Sequence, residues 1–417
     1  MKLKIAAATL LATAIITNGA SAKTLEDVLK EKGVITEEDY KEVTKVKPVD
    51  YKLGKGFTFT TADEKFQLSL GGRFQLRYTY ADTDKGQDFS KWEPKQVKFY
   101  LNGYAYTRDL TYGLQANFAK GNTPQILDDA WLNFRLIDEA QLKAGQFKVP
   151  FARQELISDA NQQFVDRSIV VDAFKPGRDI GAQLAGKIAK GIFYYNLGVY
   201  GGLGQSVVRA TNDNLFAARV VVNPLGDVAY LESDLDNSKK PLVSIGANYF
   251  RNTLKRQTSG TTTSFEGAAS NYAGSNGWLG STAGRNFITA ADNQKVDVDS
   301  YGADAVFKWL GISLQGEYLL GQAENQTTDK ILRAHGFYAQ TGYTIIPGKL
   351  EAAFRYSYLD PNRDVTNDLK VETIGVLSYY FDKHNLKVQA DVGNIHTQRS
   401  TGPTDEKQYR VQTQITF

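Results

Sequence analysis

From Phe66 onward, apolar and polar residues alternate with a period of two, and the pattern is kept to the last residue. Phe66, Leu68, Leu70, Phe74, Leu76, Tyr78 and Tyr80 are separated by Gln67, Ser69, Arg73, Gln75, Arg77 and Thr79. Successive side chains of a strand point to opposite faces. This stretch therefore has one apolar, aromatic face and one face of amides, hydroxyls and arginines. Strands of globular proteins are usually about five or six residues long. A tilted strand that crosses a bilayer needs roughly 9–11. The same alternation recurs at residues 110–118, 130–136, 312–318, 350–358 and 386–392. In lipid every backbone amide needs a partner, so a sheet can cross only as a closed barrel. Tyr78, Tyr80, Tyr356 and Tyr358, near strand ends, suit interfacial girdles.

Candidate strands number about sixteen, an even number in the porin size range, and a barrel of that size encloses water. Residues 107–109 and 347–348 read as tight periplasmic turns, and residues 251–295, rich in Gly, Ser, Thr and Asn, as a long external loop. No mid-chain linker interrupts the pattern, so residues 56–417 form one barrel domain. The predicted fold class is all-β: a transmembrane antiparallel β-barrel of about sixteen strands with a short N-terminal helical arm. In the last segment Tyr409, Val411, Thr413, Ile415 and Phe417 alternate with Gln408, Arg410, Gln412 and Gln414. A terminal amphipathic strand ending in an aromatic residue resembles the assembly signal of bacterial outer-membrane barrels.

The N-terminal residues follow another logic. Lys2 and Lys4 precede an apolar run over residues 5–16, and Ala20-Ser21-Ala22 is a small-x-small cleavage site. Residues 1–22 are thus expected to be a secretory signal peptide, with Lys23 the first mature residue. Export of a barrel in this way points to the outer membrane of a Gram-negative bacterium. Loss of the two lysines takes the formal charge from +3 to +1, so no strong global field attracts either sign of ion. Residues 25–43 are helical in pattern: Leu25, Val28 and Leu29 share a face, Gly33 breaks it, and Thr36 precedes Glu37, Glu38 and Asp39 as an N-cap before an acidic turn. This arm serves as a periplasmic or trimer-contact element or is simply solvated. Residues 45–55 read as the linker, completing an arm-and-linker region over residues 23–55.

Composition removes several chemistries. There is no cysteine, hence no disulfide, thiolate nucleophile or thiolate metal site. His335, His384 and His396 lack metal-ligand spacing, and they are placed near barrel rims. Gly201-Gly202-Leu203-Gly204 opens no helix and reads as a turn, and no Gly-x-Ser-x-Gly elbow occurs. No catalytic residue, metal, cofactor or nucleic-acid partner is expected. The absence of a plug domain excludes a TonB-gated transporter.

The most informative segment covers residues 145–186. One strand ends near Phe147 and the next begins near Asp179, leaving about thirty residues between them, a length at which loops are usually functional. Three blocks stand out: Gly145-Gln146-Phe147-Lys148-Val149-Pro150-Phe151, Phe164-Val165-Asp166-Arg167-Ser168 and Pro176-Gly177-Arg178-Asp179-Ile180-Gly181. In these the chain resembles the phosphate-selective porin O/P family, with weaker similarity over the helical arm, residues 350–360 and the terminal strand. The resemblance implies a trimeric, sixteen-stranded porin whose third external loop folds inward and narrows the pore. It implies as partners the outer-membrane bilayer, small inorganic anions or other hydrophilic solutes, and two further copies of the chain.

A porin lowers the cost of partly dehydrating an ion by offering charges and amides in its lumen. Arginine suits phosphate because its fork donates bidentately. Candidate constriction residues on the loop are Lys148, Arg153, Arg167, Lys175 and Arg178, nearly cancelled by Glu155, Asp159, Asp166 and Asp172. On the strands Arg73, Arg77 and Arg135 are candidates, with Lys143, Arg355 and Arg410 on the same face. These cations either form a basic wall or pair with lumen acids such as Glu317, Glu351 and Asp391 and brace the barrel. Arg73 and Arg77 share a lumen-facing row without an acid on their strand; with Arg153 and Arg167 they are expected to supply a mild anion preference. The function read from the sequence is passive diffusion of small hydrophilic solutes, with phosphate or polyphosphate as candidate cargo. The alternative is a structural sheath holding a partner protein, such as an electron carrier, across the membrane. A barrel enzyme is disfavoured, since only residues 331–343 place a histidine well inside a strand.

Overall fold

The computed structural model describes residues 25–38, 40, 48–120, 124–259, 262–267, 270–288 and 291–417. The signal segment, its cleavage point and residues 39 and 41–47 of the arm lie outside the described residues. The chain divides into two units at Pro48. In the first, a helix spans Leu25–Glu31, and the Tyr40 N–H donates to the Thr36 carbonyl at 2.9 Å, one helical turn. Lys30 links the two turns, 2.7 Å from Glu37 and 4.3 Å above the Tyr40 ring.

The second unit holds one sheet of nineteen strands, of which sixteen close a barrel. In chain order the barrel strands are β1 (Phe66–Thr83), β2 (Phe89–Ala105), β3 (Thr107–Asn117), β4 (Leu127–Ile137), β5 (Ala140–Lys148), β6 (Arg178–Ile188), β7 (Phe193–Tyr200) and β8 (Leu215–Val222). They continue as β9 (Leu242–Ser259), β10 (Lys295–Trp309), β11 (Ile312–Asn325), β12 (Ile331–Ile346), β13 (Leu350–Asp360), β14 (Lys370–Asp382), β15 (Leu386–Thr397) and β16 (Thr404–Thr416). Each strand pairs antiparallel with the next, and β16 returns to β1 from Glu406↔Thr83 to Thr416↔Arg73. Closure leaves no edge in the hydrocarbon layer. Below Arg73, β1 is paired instead by Gly56–Thr60, which forms a hairpin with Val49–Lys52. Part of the stretch read as linker is therefore strand. Phe417 sits at the junction and exchanges two backbone hydrogen bonds with Gly72, at 2.7 and 2.9 Å.

The alternation sorts as the sequence requires. On β16 Tyr409, Val411 and Ile415 face outward and are exposed, whereas Arg410, Gln412 and Gln414 are buried inside. Aromatic pairs ring both ends, such as Tyr78–Trp92 at 4.9 Å and Tyr80–Tyr409 at 6.0 Å at one end and Phe66–Tyr106 at 5.0 Å at the other. The end with tight turns is the periplasmic one. The first of these turns lies at Tyr106, whose φ is +65°, so residues 107–109 already belong to β3. The turn at residues 347–348 is where it was expected, with Gly348 at φ +68°. Strand β9 runs to Ser259, so residues 251–259 are strand and the external loop starts later than expected. Ladder pairs Arg251↔Asp299 to Lys255↔Lys295 lie beyond the apolar band: their outward residues Arg251, Thr253 and Lys255 are polar while Leu254, Val296 and Val298 are buried inside, so the apolar-outward alternation no longer marks the strand.

The packed core of this barrel lies inside the lumen. Residues 149–177, between β5 and β6, fold inward and dock on the wall from β9 to β13. Phe151, Val170, Val171 and Phe174 meet Phe250, Leu254, Leu319, Leu332, Tyr338 and Leu359, while Tyr272, Trp278 and Leu279 from the β9–β10 loop cover them. Trp278 stacks on Phe174 at 5.9 Å between centroids. Each large side chain so buried contributes about 1.5–3 kcal/mol.

Candidate functional site

The inward loop is stapled to the wall by its charges. A short helix, Arg153–Leu156, presents the N–H groups of Arg153 and Gln154 to the two carboxylate oxygens of Glu317, both at 2.7 Å. The Arg153 guanidinium is fully buried, donating to Ser244 Oγ at 3.2 Å and lying 4.6 Å above the Tyr230 ring. Arg73 reaches Asp159 at 2.6 Å, and Lys98 reaches the same carboxylate at 2.9 Å. Arg77 meets Asp166 at 2.6 Å, and Arg410 meets it at 3.0 Å while also holding Asp391 at 2.8 Å. Arg355 pairs with Glu372 at 3.0 Å and donates to the carbonyls of Asp166 and Arg167. The loop acids thus supply Arg73 and Arg77 with their carboxylate partners.

Within the loop, Glu155 receives Arg167 at 3.1 Å and Lys175 at 3.2 Å, and Lys175 also reaches Asp172 at 2.6 Å. Burial raises the proton affinity of Glu155, but Arg167 and Lys175 outweigh it and hold the carboxyl well below its usual range. The same balance, set by Lys98 and Arg73 for Asp159 and by Arg77, Lys95 and Arg410 for Asp166, keeps both of those acids ionised. Lys148 donates to the carbonyls of Glu155 and Ile157. Arg178 forks onto Asp129 at 3.0 and 3.1 Å. Six of the eight candidate residues therefore lie on or contact the loop, and Arg178, at its end, pairs with the β4 wall instead. Arg135 does neither; it is exposed beside the β4–β5 turn, 2.6 Å from Asp109 and 3.2 Å from Asp138.

The side of the loop facing away from its dock is open. Between it and β3–β7 lies a cavity of about 510 Å³, lined by Trp131, Lys143, Gln183, Asn196, Asp159 and Arg178 among others. A second, of about 300 Å³, reaches the periplasmic turns at His384 and Asn385 and shares Gln115, Asp129, Trp131 and Ser158 with the first. The two cavities adjoin beside the loop and mix polar with aromatic lining residues. Their wall was only partly anticipated from sequence: Lys143 was placed on the lumen face, but Trp131, Gln183 and Asn196 were not singled out. A tryptophan between Asp129 and Asn133, on the polar face of β4, was the available signal.

One periplasmic connection breaks the rule of short turns. Residues 223–241 rise into the lumen beneath the loop. Glu232 accepts from the Gln163 N–H at 2.7 Å and from Gln154 Nε2 at 2.9 Å, and Ser233 donates to Glu351 at 2.7 Å. Nothing in the alternation pattern marks this segment.

A profile of the family described as phosphate-selective porin O and P matches residues 65–417. A protein of Aquifex aeolicus (strain VF5), described as uncharacterized, is 26% identical over 423 residues, which cover 93% of each chain. Among solved structures, the anion-selective porin from Comamonas acidovorans is similar with a TM-score of 0.57 and 10% identity, over 84% of this chain and 100% of its own. The trimer form of OmpT, an outer-membrane protein of Vibrio cholerae, is similar with a TM-score of 0.54 and 8% identity, over 84% of this chain and 99% of its own.

Proposed function

Because the chain belongs to the phosphate-selective porin O and P family, an outer-membrane porin family, we propose that it passes small hydrophilic solutes by passive diffusion, with a mild preference for anions, as a homotrimer. The observation that carries this reading is the pair of adjoining cavities beside a loop whose own charges are compensated; in this reading they are the passage. Along the larger cavity Lys143, Lys148 and Arg178 face Asp129 and Asp159, a small excess of positive charge. Such an excess lowers the barrier for anions without binding them tightly. Arg73, Arg77, Arg153, Arg167, Lys175 and Arg178 act in this reading mainly as braces that fix the loop and hence the pore width. Phosphate and polyphosphate are candidate solutes. The anion-selective Comamonas porin lends support through its shared fold, and the trimeric OmpT form supports the homotrimer. The test is conductance of the purified protein in a planar bilayer, with the reversal potential read across a potassium chloride gradient. A cation preference refutes the anion reading. A folded protein without conductance refutes diffusion and favours a sheath around a partner protein. Migration before and after heating in detergent reports the trimer.

A further inference from the structure

The passage contains one cation that the bracing network does not use. Lys143, on β5, has its ammonium 4.1 Å from the Trp131 ring centroid and 4.6 Å from that of Phe147. No carboxylate of the described residues lies within ion-pair distance of it; Asp129, the acid nearest in the wall, is engaged by both arms of Arg178. By contrast, Lys148 donates to two loop carbonyls, Lys308 to the carbonyls of Leu231 and Ser233, and Lys387 to that of Gln162.

The frame around Lys143 is built into the sheet. Trp131 is paired on one side with Gly113 and on the other with Gly145. A Cβ on Gly113 would come within 2.4 Å of the indole, so the ring lies along the lumen wall in space that only glycine leaves. Gly145 has φ +126°, and a Cβ there would meet the Ala130 carbonyl at 2.2 Å. Gly113 thus leaves the room for the flat indole and Gly145 lets the strand backbones approach beside it, under a lysine whose ammonium has no hydrogen-bond partner among the described residues. The Gln183 and Asn196 amides line the same cavity.

We propose that Lys143, framed by Trp131 and Phe147, is the subsite that sets the charge preference of the passage, and that the ligand class it favours is a small organic carboxylate with a flat or apolar body. The inference rests on the porin reading and deepens it. A tetrahedral dianion such as phosphate is best held by several convergent donors and a surplus of charge; here one ammonium stands between two rings, and the nearby arginine is spent on an aspartate. A carboxylate matches the single charge, and its body can lie against rings that offer phosphate nothing.

The test uses the full protein in planar bilayers, with benzoate, acetate and inorganic phosphate added separately to a potassium chloride solution. Benzoate is expected to reduce chloride current at a concentration roughly three- to tenfold below acetate, the margin of one aromatic contact, and below phosphate. Lys143→Gln should lower the anion-to-cation permeability ratio about threefold at 0.1 M salt, and Lys143→Arg should keep it. Trp131→Leu should keep the ratio and lose the advantage of benzoate over acetate; if Lys143→Gln fails to assemble, this variant carries the test alone. The proposal is overturned if Lys143→Gln assembles and keeps the wild-type ratio, if phosphate blocks at lower concentration than benzoate, or if Trp131→Leu leaves the advantage of benzoate intact. A wild type with no conductance overturns the porin reading and this one with it. Normal anion preference that is insensitive to Lys143 overturns this one alone.

Discussion

Replacing Asp159 with asparagine removes one negative charge from the wall of the larger cavity while keeping side-chain shape. Asp159 lines the larger cavity, and its carboxylate is shared by Arg73 at 2.6 Å and Lys98 at 2.9 Å. Without it Arg73 loses its carboxylate partner, while Lys98 keeps Asp128 at 3.2 Å, so one cation stands uncompensated on the wall. For an ion passing at about 6 Å through water, one unit charge is worth about 0.7 kcal/mol. Screening with a Debye length of about 10 Å at 0.1 M salt leaves about 0.4 kcal/mol. The change has opposite signs for anion and cation, so the permeability ratio should move toward anions by about fourfold. At 1 M salt, where the Debye length is about 3 Å, the shift should fall below about 1.5-fold. The assay is the reversal potential across a potassium chloride gradient, for wild type and variant at both salt levels. Acidification gives an independent check. Burial alone would raise the proton affinity of Asp159, but Lys98 and Arg73 outweigh it and hold the carboxyl well below its usual range. A depressed carboxyl keeps its charge, and its contribution to stability, until pH falls through that lowered value. At pH 4 the wild type should therefore not acquire the selectivity of the variant. A shift toward cations, or no shift at low salt, would refute the placement of Asp159 at the passage. A pH 4 shift present in the wild type and absent in the variant would refute the depressed carboxyl.

Phe174→Ala should cost about 3–5 kcal/mol where the loop docks, since the ring is fully buried against Trp278. Single-channel conductance should rise and become noisier; unchanged conductance from an intact barrel would show that the loop does not set pore width. Glu232→Ala leaves the Gln163 N–H without its acceptor and the Gln154 amide with Gln340 alone, at 3.3 Å, a loss of about 1–3 kcal/mol. Faster amide exchange at Gln163 with the barrel unchanged is the expected readout, and exchange as slow as in wild type would count against the contact. For the exported form, mass spectrometry should give Lys23 as the first residue, and a chain that retains Met1 would sink the export argument.

Periodicity made the strands legible because a barrel in lipid must turn every second side chain toward hydrocarbon. Arg73, Gln75 and Arg77 could be assigned to the lumen from spacing alone. Where the wall leaves the membrane that constraint lapses, and so the outer part of β9 was read as loop. The inward loop was visible from its length and its mixture of apolar anchors with charges. What spacing could not give was partnership. Arg73 finds Asp159 across 86 positions and Arg77 finds Asp166 across 89; a period assigns a face but not the residue opposite. The lumenal rise of residues 223–241 was hidden for a related reason. The buried Glu232 carboxylate and Ser233 hydroxyl are satisfied by the loop above and the wall beside it, so in isolation the segment looks like any solvated connection.

The contact of Asp166 with two arginines also fixes an order of events. Arg77 lies on the first barrel strand and Arg410 on the last, at 2.6 and 3.0 Å from one carboxylate. These two strands meet only when the cylinder shuts, which brings together residues from opposite ends of the chain and is entropically the most demanding pairing in the molecule. The latch that Asp166 forms therefore cannot be completed before the seam is zipped. During biogenesis this tie between loop and wall belongs to the final step of closure, whereas the dock on β9–β13 does not depend on the seam. A lesion at the seam, even far from any solute contact, would then appear as a faulty permeability barrier and not merely as a poorly assembled protein.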